Sequence, residues 1–342
     1  MLIKQNFSLK KLNTFGVDVY ARYYTEIHNL EDIRNIFLKE DPSIPKCVLG
    51  NGSNILFLND YYSGLVIKMN MKGKKVVYEN KDQVLVQAYA GEDWNEFVEW
   101  TIINGFSGLE TLSFIPGTVG ASPIQNIGAY GTEVKECLLK VVVYEINSNK
   151  IIEIPRKKCR FQYRNSIFRN PDGKNQFVIL SVFFILKKNK YQKFNSFYVE
   201  IRKELKNMNI RKPNLFDLRK AIFNIRRRKI PNPKIIGNAG SFFKNPIIEN
   251  TLFQKLKNQY PNIIGIYILN NKIKISASYL IEHIGWKGKK IGNVGIHDKN
   301  PLILVNYGGA SGMDIYNISV ILRKEVQKKF GIFLSKEVNI IR

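Results

Sequence analysis

The sequence predicts an α+β fold in three subdomains. Three observations carry that reading. Apolar residues recur with strand and helix periods in turn, without the strict alternation of a doubly wound sheet. The 24 residues from 108 to 131 show no period at all. Pro231-Asn232-Pro233 punctuates the chain as a linker, because proline stops a helix and stiffens the backbone.

The elements follow in chain order. Asn29 is a natural N-cap for a helix whose apolar face is Leu30, Ile33 and Phe37. Residues 47–57 read as strand, turn and strand, with Gly50-Asn51-Gly52-Ser53-Asn54 as the turn. Residues 76–78 and 84–89 are β-rich runs separated by a polar stretch, a hairpin pattern. Trp94, Phe97, Val98 and Ile102 form a helix stripe ending at Asn104-Gly105. Strands resume at 138–146, 151–154 and 177–186, and Asn214 caps a helix through Leu215, Leu218, Ile222 and Ile225. A strand at 302–305, a helix at 313–329 and a strand at 338–341 close the chain.

Composition excludes several classes. Hydrophobic residues make up 44% of the 342, enough for a buried core and too many for a disordered chain. The longest apolar run, 177–186, is about half what a bilayer requires, and the first residues lack the apolar stretch of a signal peptide. The expectation is a cytoplasmic protein with no membrane partner. Net charge is +25, yet the basic residues are scattered among many Asn, Ile, Tyr and Phe, the signature of AT-rich coding. No nucleic-acid partner is expected, since no zinc finger, RNP string or basic zipper accompanies the charge. Cys47, Cys137 and Cys159 are odd in number and far apart, so neither a disulfide framework nor a metal site is expected.

Four stretches hold the residue types that chemistry needs. Residues 50–54 offer glycines and small polar side chains, suited either to an anion cradle or to a hairpin turn. Residues 115–131 are rich in glycine and uncharged, so a flat ligand can approach the backbone closely. Residues 159–169, read as a strand, put Arg160, Gln162 and Arg164 on one face, with Phe161 and Tyr163 on the other. Those arginines are either solvated or paired with an anion. Residues 238–246 contain Gly240-Ser241-Phe242-Phe243, where Ser241 is a nucleophile, a proton donor or a turn residue. No G-x-x-x-x-G-K-[ST] or Rossmann fingerprint occurs.

In this order the four stretches resemble the UDP-N-acetylenolpyruvoylglucosamine reductase (MurB) family, type I branch. The likeness begins at Asn13-Thr14-Phe15-Gly16 and runs through Tyr163-Arg164-Asn165-Ser166 and Gly240-Ser241-Phe242-Phe243-Lys244-Asn245-Pro246. It continues with Leu280-Ile281-Glu282 and Lys287-Gly288 to Lys336-Glu337-Val338. The resemblance implies an FAD-binding fold of the vanillyl-alcohol oxidase (PCMH) type plus a C-terminal α+β substrate domain. Its divisions would be residues 1–68 with 330–342, residues 69–228, and residues 229–329. FAD would be held by Gly50, Asn51, Gly52, Ser53 and Asn54 together with Ile115, Pro116, Gly117, Gly120, Ser122, Pro123, Asn126, Gly128, Ala129, Tyr130 and Gly131.

The implied reaction uses NADPH to reduce the enolpyruvyl ether of UDP-N-acetylglucosamine enolpyruvate in a monomeric enzyme of peptidoglycan synthesis. Arg164 would stabilise charge on the substrate carboxylate, Ser241 would protonate C2, and Glu337 would act as a protonated acid with a raised pKa. Tyr163, Tyr198, Arg226, Lys229 and Asn245 would contact substrate. Two positions depart from the family's pattern. Leu334-Ser335-Lys336-Glu337 replaces Leu-Glu-Pro-Glu, which is expected to loosen the strand carrying Glu337, and Asn51 stands where the family has Gly or Glu. A flavin oxidase with another substrate, or a basic nucleic-acid-binding protein, are the competing readings.

Overall fold

Side-chain caps fix the helix starts that the sequence marks. Asn29 and Asp32 bond each other's backbone at the head of the helix Leu30–Lys39, and Asn214 and Asp217 do the same for Leu215–Lys229. Asp93 accepts from the N–H groups of Asn95 and Glu96 to start Trp94–Ile103. The computed structural model describes residues 2–169, 176–188, 199–268 and 270–342. The chain divides into two compact units.

The first unit comprises Met1–Phe7, Ala21–Gly52 and Ser63–Arg227. Its first sheet has the order Lys4–Ser8, Tyr20–Ile27, Tyr61–Met69, Lys46–Leu49, with the last pair parallel. Its second sheet is antiparallel, in the order Lys150–Pro155, Leu138–Glu145, Phe177–Lys187, Gln83–Tyr89, Lys74–Glu79. The expected hairpin is therefore present, as the last two strands of that order. Trp94 and Phe97 of the helix Trp94–Ile103 lie against Phe184 with ring centroids 6.1 and 5.2 Å apart. Val86, Val141, Val143 and Val182 are fully buried beneath them. The helices Val199–Asn207 and Leu215–Lys229 share a smaller apolar cluster, on which Phe114 and Tyr130 pack.

The second unit comprises Ser8–Tyr20, Ser53–Tyr62 and Arg228–Arg342. A four-stranded sheet runs Gly237–Ser241, Ile303–Asn306, Val294–Ile296, Lys290–Ile291. A three-stranded sheet runs Ile247–Glu249, Lys272–Ile275, Gly265–Ile268. Phe15, Phe242 and Phe243 are buried in the core, with Ile315, Leu322 and Val326 of the helix Gly312–Phe330. Pro231-Asn232-Pro233 falls just after the helix Leu215–Lys229, next to the boundary between the units. It is a tied turn, because the Asn232 carbonyl accepts from Ile235 and Ile236.

Two local readings change. The strands flanking residues 50–54 do not pair with each other. Lys46–Leu49 pairs with Tyr61–Met69, while Ile55–Phe57 pairs in parallel with Asn339–Ile341. Residues 160–164 are no strand, so Arg160, Gln162 and Arg164 do not share a strand face. Arg160 and Arg164 adopt left-handed backbone angles, φ 48° and 53°. Gln162 and Asn165 exchange both backbone bonds, which closes a tight turn.

Candidate active site

In the first unit Gly50, Asn51 and the loop 115–131, among the residues expected to hold a cofactor, form a connected backbone framework. Gly120 N–H donates to Ala90 O and Val119 N–H to Glu92 O, both at 2.9 Å, while Trp94 N–H reaches Gly117 O at 3.1 Å. These bonds lay the loop 115–131 along the segment that enters the helix Trp94–Ile103. A Cβ on Gly50 would sit 2.9 Å from Thr118 Oγ1, so the turn also lies against the loop. Asn51 Nδ2 donates to Gly117 O at 3.0 Å and to Asp93 Oδ2 at 3.1 Å. Ser122 is buried with its hydroxyl on Val119 O, and buried Asn126 donates to Glu133 Oε2 and Gln162 O.

Arg164 joins this framework. Its Nη2 donates to Gly128 O at 2.8 Å, and its guanidinium carbon lies 5.5 Å from the half-buried Tyr163 ring. Ser166 Oγ donates to Ile124 O and Asn126 to Gln162 O, so three side-chain bonds staple the 162–166 turn to residues 124–128. Arg226 bonds the Tyr130 hydroxyl, and burial lowers the guanidinium's proton affinity, with the tyrosine opposing that shift. Lys229 is exposed at the end of the same helix. Tyr198 lies outside the described residues.

In the second unit Ser241 ends the strand Gly237–Ser241, just after Gly240 at φ 67°. Glu337 N–H donates to Phe242 O at 2.8 Å and Lys244 N–H to Ser335 O at 2.9 Å. Phe243 and Lys336 are the directly opposed pair, so Glu337 lies across from the residue next to Ser241. Neither ladder bond uses the Lys336 N–H, so a proline at this position would leave both bonds in place. The Lys336 ammonium instead sits 4.5 Å from the Tyr316 ring and 3.5 Å from its hydroxyl, lowering that phenol's pKa. Asn54 Nδ2 donates to Glu337 O, and Asn245 Oδ1 accepts from Ala277 N–H at the head of the helix Ala277–His283.

Sequence reasoning missed Lys68, Asp93 and Asn95. Lys68 Nζ donates to Gly50 O at 2.7 Å and to Asn51 Oδ1 at 2.9 Å. Its signal was legible as a single charge in the apolar run 65–69. Asn95 Oδ1 accepts from Phe114 N–H and from buried Arg219, whose guanidinium lies 4.3 Å from the Phe114 ring. Burial pushes all three thiols, Cys47, Cys137 and Cys159, up to about 12, so none supplies a thiolate. Among the described residues no group of three His, Cys, Asp or Glu side chains could hold a metal ion.

The turn and loop fit a dinucleotide. The loop lies close against Ala90 because Gly120 has no Cβ to collide there, and residues 115–131 contain no carboxylate to repel a pyrophosphate. Residues 22–153 match the model of an FAD binding domain. Residues 232–341 match that of the UDP-N-acetylenolpyruvoylglucosamine reductase C-terminal domain. The protein is an FAD-dependent oxidoreductase with an FAD-binding fold of the vanillyl-alcohol oxidase (PCMH) type.

Relatives named UDP-N-acetylenolpyruvoylglucosamine reductase extend the match to the full chain. One from Flavobacterium johnsoniae is 43% identical, covering 100% of both chains. One from Amoebophilus asiaticus is 40% identical with the same coverage. One from Pseudomonas aeruginosa is 38% identical, covering 99% of this chain and 98% of its own. The chain belongs to the UDP-N-acetylenolpyruvoylglucosamine reductase family. A crystal structure of that reductase from Thermus caldophilus shares the fold, with a TM-score of 0.66, 22% identity and coverage of 100% and 98%.

Proposed function

We propose that this protein reduces the enolpyruvyl ether of UDP-N-acetylglucosamine enolpyruvate to UDP-N-acetylmuramate, using NADPH, as a step in peptidoglycan precursor synthesis. The observation that carries this reading is the backbone pairing of residues 242–244 with 335–337, which brings the Ser241 and Glu337 segments side by side. FAD, when bound, supplies the hydride that NADPH provides and the enolpyruvyl C3 receives. The turn 50–54 and the loop 115–131 hold it.

The chain's own residues then handle charge and protons. Hydride arriving at C3 leaves negative charge at C2 and on the adjoining carboxylate. Arg164 stabilises that charge, a contribution worth several kcal/mol in a site that excludes water. Glu337, kept protonated, donates a hydrogen bond to the same carboxylate, and Ser241 delivers the proton to C2. Arg226, Lys229 and Tyr198 bind the nucleotide phosphates, with Tyr163 and Asn245 contacting the remainder of the substrate.

The working divisions are residues 1–68 with 330–342 and residues 69–228 for the cofactor, and residues 229–329 for the substrate. The enzyme acts as a cytoplasmic monomer without a nucleic-acid partner. Among the described residues no helix is long and apolar enough to cross a membrane. The decisive assay follows NADPH oxidation with and without UDP-N-acetylglucosamine enolpyruvate. Oxidation that requires the enolpyruvyl sugar is the expected result. Equal rates without it, or with an unrelated flavin-oxidase substrate in its place, overturn the assignment.

A further inference from the structure

We infer that Lys68 is a positioning residue for the cofactor: acting through Gly50 and Asn51, it locks the start of the turn, residues 50–52, to the loop 115–131. The inference rests on the assignment of that turn and loop to FAD. Lys68 occurs in a strand segment that is otherwise core, where Leu65, Val66, Ile67 and Met69 are all buried. A lysine there is unfavourable unless its donors are used. The parallel register opposes Lys68 to Leu49, the last strand residue before the turn, which sets the ammonium under the first two turn residues.

The bonds form one continuous chain. Lys68 Nζ donates to Gly50 O and Asn51 Oδ1. With its oxygen engaged, the Asn51 amide has one orientation, and its Nδ2 reaches both Gly117 O and Asp93 Oδ2. The other Asp93 oxygen caps the helix Trp94–Ile103. Lys68 and Asn51 thus tie the turn to the loop and the helix start, which the bond from Trp94 N–H to Gly117 O already joins to each other. The lysine also occupies two oxygen acceptors of the turn, groups that an anionic cofactor cannot use. No bond to the cofactor is needed for this role.

The test measures FAD release on diluting the full-length holoenzyme, read by flavin fluorescence, beside thermal unfolding of the same samples. Lys68→Met removes both donors and should raise the FAD Kd about 10–100-fold. Lys68→Arg keeps donors and should recover most of that loss. Asn51→Ala should weaken FAD about tenfold. In that background Lys68→Met should add less than it does alone, because the two residues act in series. If Lys68→Met does not fold, Asn51→Ala carries the test, and an unchanged Kd in it overturns the proposal. So does a Lys68→Met protein that melts earlier but holds FAD as tightly as the parent, or a cycle in which the two losses simply multiply. A parent protein that binds no FAD overturns the cofactor assignment itself, and the proposal with it.

Discussion

Gly120→Ala and Gly50→Ala add the same methyl group to the same backbone framework, and the structure predicts that they differ. A Cβ on Gly120 would lie 2.6 Å from Ala90 Cβ, 3.0 Å from Ala90 Cα and 3.1 Å from Ala90 O. Carbon atoms prefer about 3.5–4.0 Å, so the loop must move by close to 1 Å or the strand must yield. Neither is easy, because Ala90 is buried and Gly120 N–H is already bonded to Ala90 O. Overpacking of this kind costs about 1–3 kcal/mol. A Cβ on Gly50 would instead meet side-chain atoms as its three nearest neighbours, Thr118 Oγ1 at 2.9 Å, Thr118 Cγ2 at 3.5 Å and Ala121 Cβ at 3.6 Å. Its cost should stay below about 1 kcal/mol.

Urea unfolding measures the first quantity, and FAD titration shows whether the displaced loop still receives the cofactor. Gly120→Ala should lower both stability and FAD affinity, and Ala90→Gly in the same chain should restore part of each. Thr118→Ala should likewise erase the small effect at Gly50. If Gly120→Ala unfolds within about 0.5 kcal/mol of the parent, or if Gly50→Ala is the more damaging, the close approach described here is wrong.

Three further outcomes follow. Arg164→Lys keeps a charge but loses the planar fork that bonds Gly128 O, so turnover should fall roughly 10²–10³-fold while FAD stays bound; release of FAD would make Arg164 a loop anchor instead. Ser241→Ala should leave flavin reduction by NADPH intact and slow the reoxidation by the enolpyruvyl substrate about 10²–10⁴-fold in stopped flow; equal slowing of both steps, or of neither, rules out a proton donor. Burial lowers the His297 pKa below its ordinary 6.5, so the unfolded chain binds the proton more readily than the fold does. Its contribution to stability is present above about pH 6.5 and fades as pH falls through the lower folded value. His297→Gln should flatten the urea midpoint across that window, and an unchanged slope would remove His297 as its source.

Much of this fold was legible because its signals are local. Asn29 and Asn214 announce helix starts through bonds that span three residues, and the two β-rich runs at 76–78 and 84–89 sit one turn apart. The turn 50–54 was legible as a turn but not in its connections, since the strand after it pairs with residues 339–341. Residues 160–164 misled because alternating residue types describe a strand and say nothing of the left-handed angles at Arg160 and Arg164. Arg164 and Ser241 stand out as residue types within unusual strings. Lys68 and Asn95 act through partners 17 to 124 positions away, which no local pattern records.

The order in which the chain is made gives the division into units another meaning. The first unit is finished once residue 227 has emerged, but the second draws on Ser8–Tyr20 and Ser53–Tyr62 as well as Arg228–Arg342. Those early segments carry Phe15, Leu56 and Leu58, all destined for a core whose remaining members are not yet synthesised. At ordinary ribosome speeds the stretch from Phe57 to Asn339 takes about 14–56 s to make, far longer than hydrophobic collapse requires. Ile55–Phe57 spends that interval without Asn339–Ile341, the strand that will pair with it. The nascent chain thus carries an unpaired strand edge over that interval, the kind of surface that invites pairing with other chains.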